Sequence, residues 1–256
     1  MIITAASIVF HSVLLVGSWS ESTAAMARVY LLSISYQHQT NQIHNSYVNQ
    51  TLSTAMHDAA DSAYLEVRGG YFGLCARSNN KGSWTCKRNA AGFMGNRASI
   101  EDPLNLLGIM DHFRGEVEFP GLILGSIVLS TITLALISTF PGYHEEEEAE
   151  TGDFIEVKPF PSRPISQAAA ASMAFSTLFA LVAALWQHTA AASAASVLQY
   201  ATLGNIKPSV GPTAVVLVWM PVAMAATVCV SILVMIFGIT LLDRLVDDDQ
   251  SSVNIA

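Results

Sequence analysis

The chain is short of charge. Asp, Glu, Lys and Arg make up 12% of its 256 residues, about half the ~25% of a typical soluble domain. Hydrophobic residues make up 52% and the mean hydropathy is +0.42, which excludes an ordinary soluble globular protein. Basic charge is the scarcer sign: 12 Lys and Arg against 20 Asp and Glu leave a net charge of −8, which argues against a nucleic-acid partner. Three cysteines are too few for a disulfide scaffold and lack the Cys/His spacing of a zinc site. No nucleophile–base pair, phosphate loop or cofactor motif is visible, so neither an enzyme, a cofactor nor a metal site is expected. The class that remains is a polytopic membrane protein.

A bilayer core about 30 Å thick takes about 20 apolar residues as a helix. Four segments meet that length, at 1–20, 119–140, 165–187 and 213–242, and none of them contains Asp, Glu, Lys or Arg. The last is long enough to tilt, or to kink at Pro221. The first has two readings. It is short and Ala25-Met26-Ala27 resembles a small-x-small cleavage site, as in a signal peptide, but the positive region that opens such a peptide is missing. That absence favours a retained first helix.

The connecting segments are 21–118, 141–164, 188–212 and the tail 243–256. Eight basic and nine acidic residues lie in 21–118, whereas 141–164 holds Lys158 and Arg163 against seven acids. Most Lys and Arg therefore sit in one long segment to which the positive-inside rule does not apply, so orientation must come from chemistry. Asn49-Gln50-Thr51 is a glycosylation sequon, and Cys75 and Cys86 lie close together in the same segment. Both suit the oxidising, extracellular side. The expectation is a plasma-membrane protein with 21–118 and 188–212 outside, an acidic loop inside, and both termini cytoplasmic.

The long segment has strand character. In 28–37, Tyr30, Leu32, Ile34 and Tyr36 alternate, the pattern of a half-buried strand. Segments 63–67 and 83–87 are shorter strand candidates, and 37–61 reads as a polar loop with one or two helical turns. Asp102-Pro103 suits a helix start, with Asp102 as N-cap and Pro103 in the first position. Leu104, Leu107, Met110, Phe113 and Val117 then form an apolar stripe. The predicted fold class is an all-α transmembrane four-helix bundle carrying a small extracellular β-sheet.

The most specific string is Gly70-Tyr71-Phe72-Gly73-Leu74-Cys75, followed after ten residues by Cys86. It resembles the signature of the fungal Ca2+ regulator and membrane fusion protein family, the pheromone-induced mating proteins. Residues 29–33 (Val-Tyr-Leu-Leu-Ser) are similar to that family's segment after its first helix, and the four-span order with one long first loop is similar as well. The resemblance covers most of the chain and implies a claudin-like layout, in which a Gly-aromatic motif and a cysteine pair staple the first extracellular loop. It further implies a role in low-affinity calcium influx and in membrane fusion of mating cells. The rival is a structural organiser of membrane domains or cell contacts with the same layout. Read physically, the glycines permit a bend or a close backbone approach, and a Cys75–Cys86 bridge would contribute about 2–3 kcal/mol by closing a short loop.

The remaining features have plain readings. Glu145 to Glu148 and Asp247 to Asp249 lack the spacing of a calcium loop and read as solvated acidic segments. Asp111, Glu116 and Glu118 precede the second span and are the best candidates for a cation-attracting rim. His11, inside the first span, reads as a packed, hydrogen-bonded histidine facing the bundle interior. Gly121 and Gly125 have the spacing of close helix packing, repeated by Ser172 and Ser176. Cys229 reads as a small core residue. The expected partners are membrane lipids, a calcium channel or another membrane protein, and a second copy of the chain.

Overall fold

The computed structural model describes residues 1–19, 26–38, 49–78, 82–94, 101–117, 119–140, 144–147, 154–157 and 162–253. In chain order, α1 (Ile2–Val16) leads through a short 3-10 turn (Met26–Arg28) to β1 (Leu32–Tyr36). Then come α2 (Gln50–Ser62), β2 (Leu65–Gly69), β3 (Leu74–Ser78), β4 (Thr85–Lys87), α3 (Ala91–Met94) and α4 (Leu106–Val117). The chain continues through α5 (Gly121–Ser138), β5 (His144–Glu147), β6 (Phe154–Val157), α6 (Arg163–Ala201), β7 (Ile206–Val210) and α7 (Pro212–Val253).

Three helices are long and apolar enough to cross a membrane: α5, α6 and the Pro212–Leu242 part of α7. The apolar α1 has 15 residues, about 22 Å at 1.5 Å per residue. By contacts the chain divides into two compact units. One comprises Met1–Val9, Ile123–Ala180 and Met220–Ala256, and the other Phe10–Leu122 and Leu181–Trp219.

The second unit is built on an antiparallel sheet of order β4-β3-β2-β1-β7. β1 is paired on both sides and turns one apolar face inward, with Ser33 and Ser35 on the other: Leu32 and Ile34 are fully buried and Tyr36 nearly so. They join Val67, Leu74, Leu106 and Met110 in one core, where truncating a leucine to alanine typically costs about 2–5 kcal/mol. β7 forms the edge beside β1, pairing Ile34 with Pro208. A proline lacks the N–H a ladder needs and is tolerated on an edge strand. The helix before it stops where Leu203 and Gly204 take positive φ (54° and 80°) and the Gly204 N–H reaches the Gln199 carbonyl at 3.0 Å. That closure satisfies a carbonyl the helix end leaves open.

In the first unit, Ala170 and Met173 of α6 pack with Ala225, Val228 and Ile232 of α7. Ser126 and Ser130 of α5 meet Ser176 of α6 with hydroxyl oxygens 3.0 and 2.7 Å apart. Interhelical serine bonds of this kind hold helices together where no hydrophobic effect does so. Val128, Phe175, Val234 and Phe237 are each more than half exposed, and on spanning helices such side chains face lipid.

Several elements differ from the sequence reading. The loop expected at 37–61 contains the 13-residue α2, capped by Asn49, whose side chain accepts from the Thr51 N–H; residues 39–48 lie outside the described ones. α4 starts at Leu106, not Pro103, because Asn105 takes positive φ (55°). Asp102 still caps it from one turn earlier, accepting from the N–H groups of Leu106 (2.7 Å) and Leu107 (2.9 Å). The helix that carries the third apolar segment continues past 187: α6 runs to Ala201, since 188–201 is alanine-rich with no glycine or proline to stop it. α7 likewise runs past 242 to Val253, through Asp247, Asp248 and Asp249. The acidic segment read as a solvated linker holds an antiparallel β5–β6 pair that takes in Glu145, Glu146 and Glu147; Glu148 lies outside the described residues. So does Ala25 of the cleavage-like triplet.

Candidate functional site: a glycine-aromatic turn and its stapled sheet

The motif is the connection between β2 and β3. Gly69 faces Leu74 across the ladder, and the Gly70 N–H donates to the Gly73 carbonyl at 2.9 Å, so residues 70–73 make a closed four-residue turn. Both glycines touch backbone. A Cβ on Gly70 would lie 2.5 Å from the Gly17 carbonyl oxygen, and one on Gly73 would fall on the Ser18 carbonyl oxygen. The turn therefore seats directly on the chain leaving α1. Ser18 is itself held in the left-handed region (φ 62°), with its hydroxyl donating to the Val29 carbonyl at 2.9 Å.

The aromatics divide their work. Tyr71 is buried, and its hydroxyl donates to Oε1 of the buried Gln187 at 3.0 Å, tying the turn to α6. Phe72 makes an edge-to-face contact with Trp19, ring centres 5.9 Å apart, a favoured aromatic geometry. Two residues beyond the turn, Cys75 lies opposite Cys86 in the β3–β4 ladder, their Cα atoms 4.0 Å apart, and the two form a disulfide. Both sulfurs are buried with Ala27, under Trp84. Cys229 is a free thiol packed at the edge of the α6–α7 core.

On the same sheet lies a group of arginines. Arg68 of β2 stacks between the rings of Tyr30 (4.6 Å to the centroid) and Trp84 (4.0 Å), and Arg77 of β3 also covers Trp84 (4.7 Å). The Glu66 carboxylate accepts from both, at 2.9 Å from Arg68 and 2.7 Å from Arg77. Arg68 further donates to the Ala27 carbonyl at 3.0 Å. A cavity of about 430 Å³ opens beside them, lined in addition by Arg28, Pro212 and Thr213.

A third cluster closes the far side of the sheet. The Tyr36 hydroxyl donates to Asp102 at 2.7 Å and accepts from the Leu104 N–H at 3.0 Å. Burial pushes the phenol well above its usual value; the Leu104 N–H opposes this, and the Asp102 carboxylate adds to it.

The other sequence candidates fall elsewhere. Asp111 is engaged by Arg114 at 2.9 Å and by the Ala90 N–H at 3.2 Å, so it serves the α3–α4 packing. The Glu116 side chain and Glu118 lie outside the described residues, as do the side chains of Asp247 to Asp249. His11 is buried, but neither ring nitrogen has a hydrogen-bond partner among the described residues, unlike the satisfied histidine expected. Gly125 packs against Phe179 of α6, where a Cβ would stand 2.9 Å from the ring; Gly121 meets Phe119 instead, two residues back in its own chain. Asn49 is exposed at the start of α2. Among the described residues no group of three His, Cys, Asp or Glu is placed to hold a metal ion.

Sequence reasoning did not find Ser18, Trp19 and Gln187, which complete the motif's seat, because each lies far from it along the chain. Arg68 and Arg77 carried a faint signal, two basic residues on adjacent short apolar segments with Trp84 nearby.

No curated protein matches the sequence. Residues 52–238, which enclose the glycine-aromatic turn, both bridged cysteines and most of the three long apolar helices, match the family described as Ca2+ regulator and membrane fusion protein Fig1, and the chain belongs to that family.

Proposed function

We propose that this protein regulates low-affinity calcium influx and membrane fusion during fungal mating, as a plasma-membrane protein of four spans. On this reading α1 is the first span, the five-stranded sheet stands outside the cell, and both termini and the acidic segment are cytoplasmic. Membership of the Ca2+ regulator and membrane fusion family carries the proposal. The four apolar segments contain no Asp, Glu, Lys or Arg, and polar or charged linings are what ion pathways are built from. A regulator that works through a calcium channel, another membrane protein or a second copy of itself fits that composition better than a self-sufficient pore. The sheet is the surface offered to such a partner. Its stapled turn, locked to the end of α1 and to Gln187 within α6, supplies the rigidity a docking surface needs.

The test is pheromone-stimulated calcium uptake and mating fusion in cells lacking the protein. Re-expression of the wild-type chain restores both, and the Cys75→Ser chain, delivered to the surface, restores neither. Normal uptake without the protein, together with constitutive cortical patches, would replace this reading with that of a structural organiser of membrane domains.

A further inference from the structure

The cavity beside β2 and β3 is built for an anion. Three guanidiniums line it, from Arg28, Arg68 and Arg77. One carboxylate, Glu66, offsets them, so two positive charges are left over. Arg68 and Arg77 are stacked on aromatic rings and paired to Glu66, which fixes the direction of their remaining N–H groups before any ligand arrives. Arg28, exposed at the end of its 3-10 turn, has no ion-pair partner among the described residues. Planar guanidinium forks match phosphate geometry. Pro212 and Thr213 of the first turn of α7 also line the cavity, and a helix N-terminus adds partial positive charge there. At about 430 Å³ the space falls within the range of small-molecule sites.

We propose that this cavity binds the anionic phosphate headgroup of a membrane lipid. The lipid source follows from the wall residues. Pro212 and Thr213 open the apolar stretch Pro212–Leu242, whose most apolar 18-residue window has a mean hydropathy of 2.6. A cavity containing them lies where the polar chain meets hydrocarbon, at the depth of headgroups. A lipid can set its phosphate among the arginines while its chains stay in the bilayer. The proposal rests on α7 crossing the membrane and is independent of any role in calcium influx.

The test uses the full chain purified in detergent, its Cys75–Cys86 bridge verified by peptide mapping. Lipid adducts are counted by native mass spectrometry with phosphatidylinositol, phosphatidylcholine of the same acyl length, and inositol phosphate without acyl chains. Wild type should retain phosphatidylinositol about tenfold over phosphatidylcholine, the scale of one charge-assisted hydrogen bond. Arg28→Glu, which breaks no ion pair among the described residues, should abolish that preference, and Arg28→Lys should keep part of it. Equal retention of the two lipids by wild type, or an unchanged preference in Arg28→Glu, would overturn the proposal. So would inositol phosphate binding as tightly as the lipid, which would make this a site for a soluble anion.

Discussion

Adding a single methyl at Gly73 should unseat the five-stranded sheet. The new Cβ would fall on the Ser18 carbonyl oxygen, and the Ser18 carbonyl carbon and Trp19 Cα stand 2.8 and 3.1 Å from it. All three atoms belong to backbone, so no side chain can rotate away. Ser18 cannot yield either, since its left-handed conformation is pinned by the hydroxyl bond to Val29. The turn and the helix end must part by roughly an ångström, placing Gly73→Ala near the upper end of overpacking costs, about 3 kcal/mol. In a domain of this size that lowers the melting temperature by about 6–12 °C. Two glycines calibrate the number. At Gly69 the added methyl meets the Met110 sulfur at 2.5 Å, a flexible side chain that can move, so Gly69→Ala should cost less. At Gly115, on α4, it meets nothing within 4 Å, and helix propensity there favours alanine by about 0.8–1.0 kcal/mol. The assay is thermal unfolding of the detergent-solubilised chain followed by near-ultraviolet circular dichroism. Gly73→Ala melting alongside Gly115→Ala would refute the idea that the motif glycines exist for backbone contact.

Peptide mapping without reductant should recover Cys75 linked to Cys86 and Cys229 free, and Cys75→Ser should cost about 3 kcal/mol for a loop of this length; a bridge containing Cys229 would contradict both. Tyr36 should stay protonated through the range where exposed tyrosines titrate. Because folding raises its pKa, the stability it contributes is complete below the ordinary value of 10.0 and falls as pH rises above it. Tyr36→Phe should flatten that alkaline loss while costing about 1–2 kcal/mol at neutral pH, measured as melting temperature against pH. Asn49 should carry a glycan when the chain is made in fungal membranes, and a C-terminal tag should be inaccessible to antibody until cells are permeabilised; a tag reached on intact cells overturns the orientation.

What could be read in advance was local. The alternation of Leu32, Ile34 and Tyr36 announced β1 because period-2 burial needs no knowledge of the partner strand. α2 escaped notice because it is polar, with Ala60 its one buried residue among those described, so no stripe marks it; the Asn49 cap was the available signal. β7 was hidden by Pro208 and by distance, since its partner β1 lies more than 170 residues earlier. α6 and α7 run beyond their apolar segments because bilayer thickness limits a span but not a helix. For the site, the glycine spacing announced a close approach, and only the folded chain names Ser18 as what is approached. The arginine cavity needed Arg68, Arg77 and Thr213 brought together from separate elements, which no single window of sequence contains.

The edge position of β7 has a consequence for biosynthesis. The strand that completes the sheet lies between α6 and α7, so most of the chain must be synthesised before it emerges. Until then β1 offers one open flank of N–H and C=O groups, a template for wrong pairing. The folding of the sheet is thereby timed by the insertion of α6, and a chain stalled before residue 210 displays an unfinished edge to the quality-control machinery it meets. Completion of the sheet is thus a late step, made by five residues that arrive after its other four strands.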